Sequence, residues 1–161
     1  MTIDCRDSIG GVKAVWFIAH ANVTAVTEAS GVVSAITKTG AFYKYNLTKS
    51  TASLTENINV SVENGSVGYA PELTIVLNKM QANTRNEIML LAQNVLMAVV
   101  QDMNGKYWLI GKQNGIDISA GNAGTGTAMT DRNGYSLTFT GVEPALAPEV
   151  QSGLIASLTT P

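Results

Sequence analysis

One cysteine and one histidine in 161 residues leave little material for catalysis or metal binding. Cys5 has no partner within the chain, so no intrachain disulfide can form, and its ordinary reading is a small unreactive thiol. His20 alone cannot build a metal site. Nor does a Cys5–His20 dyad recommend itself, because acid–base and nucleophilic chemistry need groups that this chain barely contains. The sequence therefore points away from an enzyme and implies no cofactor and no metal.

Charge is scarce as well. Asp, Glu, Lys and Arg make up 14% of the chain, against about 25% in ordinary globular proteins. A surface of Thr, Ser, Asn, Ala and Gly suits coverage by other copies or by partners better than life as a free monomer. Ten Lys and Arg oppose 12 Asp and Glu, for a net charge of −2. The basic residues are scattered singly from Arg6 to Arg132, which argues against a specific grip on nucleic acid. No apolar run approaches the roughly 20 residues that span a bilayer, so no membrane partner is expected. The segment "AVWFIAHA" mimics a signal peptide, but its apolar core from Ala14 to Ala19 is short and Asp4 and Asp7 precede it. It reads as a buried strand. Sequon-like triplets at Asn22, Asn46, Asn59 and Asn64 follow from the abundance of Thr and Ser and carry no weight.

What is present reads as one mainly β domain over residues 12–143, with an N-terminal arm (1–11) and a C-terminal tail (144–161). Val12 to Ala19 is a β-branched and aromatic run. Phe42, Tyr43 and Tyr45 form a short aromatic strand, extended by Leu47. In "SLTENINVSVENG", Leu54, Glu56, Ile58, Val60 and Val62 share one parity, the alternation of a half-buried antiparallel strand. Asn64-Gly65 supplies the turn and "APELTIVLNKM" the return. One helix is expected at about 84–94. Thr84 and Glu87 fit a capping box, and Ile88, Leu91, Ala92 and Val95 form an apolar stripe that must pack on a sheet. "VLMAVV" reads as a strand buried on both faces, joined through Asp102–Gly105 to "KYWLIG" in the clearest hairpin of the chain. "DMNG" lacks the acidic residues of a calcium loop. "GIDIS" is a short strand, and "YSLTFTGVE" places Tyr135, Leu137 and Phe139 on one side. Asn22 to Thr39 reads either as two strands or as a long loop. The tail beyond Pro144 has no period and reads as an arm that orders on a neighbour. The expected fold is an antiparallel β-sandwich or partly closed barrel with one flanking helix.

The stretch "GNAGTGT", from Gly121, has the glycines of a phosphate loop. It lacks the lysine of a Walker loop, and no helix follows to face a phosphate. A flexible β–β connection that allows close approach of another backbone fits better.

The order of "CRDSIGGVKAVWFI", a capped helix, "VVQDMNGKYWLIG" and "GTGTAMTDRNGYSLTFTGVEP" resembles small virion structural proteins of tailed bacteriophages. In particular it is similar to a tail tube protein, or a related ring protein of the neck or tail, of the kind found in phages of Bacteroidota. The likeness spans Cys5 to Pro144. It implies a tail-tube-like fold whose copies close into rings, typically hexameric, that stack into a conduit for DNA ejection. It also implies a place in the virion, assembled in the host bacterial cytoplasm, with neighbouring tail or neck proteins as partners. DNA enters only as transient cargo of a lumen, and no small-molecule substrate is implied. No catalytic residues carry over. The regions matching the family's contact surfaces are the segment before Gly11, with Ile3 and Cys5, then Asn22 to Thr39, then Gly121 to Gly134. The last holds Gly121, Gly124, Gly126, Asp131 and Arg132 as candidate subunit contacts. Two other readings remain open. One is a head–tail connector or head-decorating protein. The other is a monomeric β-sandwich module binding carbohydrate or peptide, which would show more exposed aromatics than a chain whose Trp16, Phe17, Tyr107 and Trp108 lie in apolar strands.

Overall fold

The structure is a computed structural model that describes residues 8–160. In chain order its first strands are β1 (Val12–Ala19), β2 (Val23–Ala29), β3 (Val32–Lys38), β4 (Tyr43–Asn46), β5 (Ser53–Ser61) and β6 (Ser66–Asn78). A helix, α1 (Ala82–Gln93), leads to β7 (Leu96–Asp102), β8 (Tyr107–Ile110), β9 (Asp117–Gly124) and β10 (Gly134–Thr140). The chain ends in β11 (Glu149–Val150) and a single helical turn, α2 (Ile155–Leu158).

These strands form two open sheets, a seven-stranded one ordered β2-β3-β11-β8-β7-β1-β4 and a four-stranded one ordered β5-β6-β10-β9. Neither closes into a barrel; the fold is a β-sandwich with one helix of several turns. Between the sheets, Val15, Phe17, Ala98 and Val100 meet Leu73, Ile75, Leu137 and Phe139, with the Phe17 and Phe139 rings 4.8 Å apart. The opposite face of the larger sheet is buried too. There Trp16, Val33, Met97, Val99 and Leu109 are covered by Phe42 and Leu158. Burial on both faces explains why β1 and β7 are continuous apolar runs rather than alternating ones.

Several expectations change. The helix starts at Ala82, with Gln81 in the cap position and no side-chain cap bond, so Thr84 lies inside its first turn. The entry is set from outside the helix. Lys79 takes a left-handed conformation, its N–H donates to the Asn133 carbonyl at 2.6 Å, and the Met80 N–H donates to the Asn133 side chain. Glu87, freed from capping, accepts a hydrogen bond from the Tyr45 hydroxyl at 3.0 Å. Only half the expected stripe reaches the core: Ile88 and Leu91 pack against it, while Ala92 and Val95 are exposed. Asn22 to Thr39 resolves into the β2–β3 hairpin. The segment from Gly121 to Gly124 is the second half of β9 rather than part of a loop. Finally, the tail does not wait for a neighbour. β11 inserts between β3 and β8, and Val150 and Leu158 are both buried in the chain's own core. Its scattered apolar residues serve separate contacts with no shared period.

Candidate functional site

The four-stranded sheet turns one face to the core and the other outward. Because directly paired residues of antiparallel strands share a face, the register fixes the outward set. It includes Thr55, Asn57 and Asn59 of β5, Thr74 of β6, and Thr138 and Thr140 of β10. Across one row, Thr55, Glu72, Thr140 and Asp117 stand side by side, so both outward carboxylates of the sheet lie at one level. Val76 is the only bulky apolar side chain in the outward set, and it is buried. None of the ten Lys and Arg residues lies in these four strands. The result is a surface of small hydroxyls and amides that carries negative charge and no positive charge.

The sheet ends on β5 at one side and β9 at the other, each with one edge unpaired among the described residues. From Ile118 to Thr130 the β9 edge carries neither a charge nor a proline, two devices that usually protect an exposed edge from pairing. The edges are also staggered. Asn57, the midpoint of β5, sits opposite Ala70, whereas Ala120, near the middle of β9, aligns through Thr138 with Thr74. Four residues along β6 thus separate the two positions over three strand-to-strand steps, with no stagger between β10 and β9, where Leu137 pairs with Gly121. β5 and β9 run in opposite directions, so β9 of one copy can pair antiparallel with β5 of the next.

Below β9, the loop 125–133 is held by its own aspartate. Asp131 accepts hydrogen bonds from the Ala128 N–H at 2.8 Å and the Thr127 N–H at 2.9 Å, and these bonds pull its carboxyl below the usual carboxylate range. The Thr127 and Ala128 N–H groups are therefore already satisfied, by a negative group. The three candidate glycines differ in what they need. Gly126 has φ +71 and would place a Cβ 2.4 Å from that of Asp131, so the loop requires it. A Cβ on Gly121 would lie 3.0 Å from the Leu137 side chain. Gly124 meets nothing, and its own fold does not require a glycine there. Arg132 is exposed beside this loop. Ile3 and Cys5 lie outside the described residues.

Elsewhere, Glu143 is the one buried charged side chain among the described residues. It accepts from the N–H groups of Asn114 at 2.9 Å and Gln113 at 3.1 Å, tying the chain after β10 to the loop before β9. His20 sits 3.2 Å from the Lys112 carbonyl through Nε2. Burial first, and then the Glu87 carboxylate, push the Tyr45 phenol far above its usual range. Among the described residues no group of three or more His, Cys, Asp or Glu could hold a metal ion, and no helix is long and apolar enough to cross a membrane.

Two surfaces went unseen in the sequence. One is the outward face just described; its signal was the run of Ser, Thr and Asn on the opposite parity to the apolar residues. The other is the far half of the β5–β6 hairpin. There the apolar parity continues, but Ile58, Val60 and Val62 are exposed instead of half-buried because the hairpin outruns the sheet that would cover it. Comparisons with protein-family models, with curated proteins and with solved structures find no match to this chain.

Proposed function

We propose that this chain is a self-assembling structural subunit that closes into a ring, with the outward face of the four-stranded sheet lining a central channel. The observation that carries the reading is the combination of two free edges that run in opposite directions with a cation-free face between them. In such a ring β9 of each copy pairs with β5 of the next, and the contact is head-to-tail and closes by rotation. A channel wall of small polar side chains with a carboxylate row at Glu72 and Asp117 repels the DNA backbone weakly and lets it slide. Together with the sequence resemblance, this favours a ring of a bacteriophage tail tube, a DNA conduit, over a free binding module. Among the described residues Tyr43 is the only aromatic of the strongly exposed hydrophobics, which gives little for a carbohydrate to stack on. Neck or connector rings share the same physics and differ in ring number and neighbours. The reading involves no catalytic step and no cofactor.

Electron microscopy of the purified protein, with light scattering, tests this directly. Rings or tubes with an open centre are expected. Gly124→Lys, which adds a charge where the subunit's own fold leaves space, should leave a folded monomer. A wild-type protein that stays monomeric at high concentration overturns the reading.

A further inference from the structure

The β5–β6 hairpin and the α1 region lie at opposite ends of the same strand. The turn at Val62–Gly65 opens β6, and α1 begins just after β6 ends at Asn78, roughly 40 Å away at about 3.3 Å per residue. Each end carries an unpartnered apolar surface. At the hairpin end, Ile58, Val60, Val62 and Val67 are 58%, 62%, 90% and 50% exposed, a contiguous aliphatic stripe where solvated hairpins carry polar residues. At the other end a groove of about 220 Å³ runs between α1 and the β1–β4 edge, lined by Phe17, Tyr43, Tyr45, Leu90, Leu91 and Leu96. Leu90 and Tyr43 on its rim are 63% and 70% exposed.

Charge distinguishes the two ends. Between Glu56 and Glu72 the hairpin has a single charged residue, Glu63, at its exposed tip. Around the α1 end stand Lys49, Lys79, Arg85 and Arg132, all exposed, and none of them joins an ion pair among the described residues. The two carboxylates there are already occupied, Glu87 by the Tyr45 hydroxyl and Asp131 by its loop amides. A negative tip with an aliphatic stripe thus faces away from a positive end with an apolar groove.

We infer that the occupant of the groove is a second copy of this chain: the β5–β6 hairpin tip of one copy seats against α1 of the copy beyond it along the strand direction. The inference rests on the ring reading and deepens it, since edge pairing of β9 and β5 builds the ring whereas this contact joins one ring to the next. It is heterologous and, without closure, repeats indefinitely as a stack. Ile58, Val60, Val62 and Val67 supply the buried area; Glu63 opposite Lys79 and Arg85 sets the polarity of stacking.

The test uses the full chain and variants confined to exposed residues. Glu63→Lys and the double variant Val60→Ser/Val62→Ser are each expected to leave single rings, with association between rings weakened about tenfold or more. Adding Lys79→Glu and Arg85→Glu to Glu63→Lys should restore stacks, which a merely misfolded hairpin could not do. Electron microscopy reads stack length, sedimentation velocity reads association, and circular dichroism confirms that the variants remain folded. Stacks of wild-type length in both hairpin variants overturn the docking and leave the ring intact. Wild-type protein that forms no rings overturns both.

Discussion

Glu143 shows how much one residue can organise in a chain with few charges. Its carboxylate satisfies two backbone N–H groups of the loop before β9, and the Tyr69 and Glu143 backbones are paired in both directions, at 2.7 and 2.9 Å. Removing the side chain breaks both part-buried hydrogen bonds to a charged acceptor, so Glu143→Ala should cost about 1–3 kcal/mol in urea unfolding, with Glu143→Gln milder. Asp131 makes a pH-dependent contribution. Its folded carboxyl is depressed by the Ala128 and Thr127 amides, so the stabilisation is complete above the unfolded carboxylate value of about 3.9. It disappears as pH falls through the lower folded value. Protection of the Thr127 and Ala128 amides, corrected for the intrinsic exchange rate at each pH, should therefore fall only below about pH 4, and Asp131→Asn should remove the transition. The glycines separate in the same manner: Gly121→Val should lower the melting temperature through its clash with Leu137, whereas changes at Gly124 should act on assembly alone.

At the level of elements, what was legible in the sequence is what local physics decides. The alternating strand β5, the Asp102–Gly105 turn and the buried runs of β1 and β7 all appear where pattern places them, although the far half of β5 is exposed. What was not legible is decided at a distance. The helix entry is set by Asn133, more than fifty positions away, so the capping box at Thr84 is not used. The tail has no periodicity because Val150 is buried as part of a two-residue strand and Leu158 as part of a single helical turn. As for the candidate site, the Gly121–Gly134 region was found from its glycines. Its division into an edge strand and an aspartate-closed loop was not, since alanine, glycine and asparagine have no strand signature of their own. Leu158, only 1% exposed, packs with Phe42, whose N–H donates to the Leu158 carbonyl at 2.8 Å. Leu158→Ala should cost about 2–5 kcal/mol by chemical denaturation, the range for a core leucine; a tail that only ordered on a neighbour would show no such loss in the monomer.

For the whole molecule, the scarcity of charge becomes a distribution. Basic residues avoid the four-stranded sheet, and four of the ten stand at its α1 end, while its outward face keeps two carboxylates in one row. Reversing that distribution is a direct test of the channel. Glu72→Lys combined with Thr138→Lys should still assemble, because both positions face outward on the inner strands β6 and β10, away from the pairing edges, but its rings should retain duplex DNA in a salt-sensitive manner. Wild-type rings should not, as an electrophoretic shift at low salt would show.

The two-residue strand β11 also sets a schedule. It alone joins the β2–β3 hairpin to the rest of the seven-stranded sheet, parallel to β3 on one side and antiparallel to β8 on the other. On a ribosome that synthesises from the N-terminus, strands made among the first cannot be locked in place until Glu149 and Val150 have emerged from the exit tunnel. The larger sheet is thus completed late, when the edges of the smaller one have long been made. A nascent chain is thereby kept from becoming a finished building block until β11 has emerged.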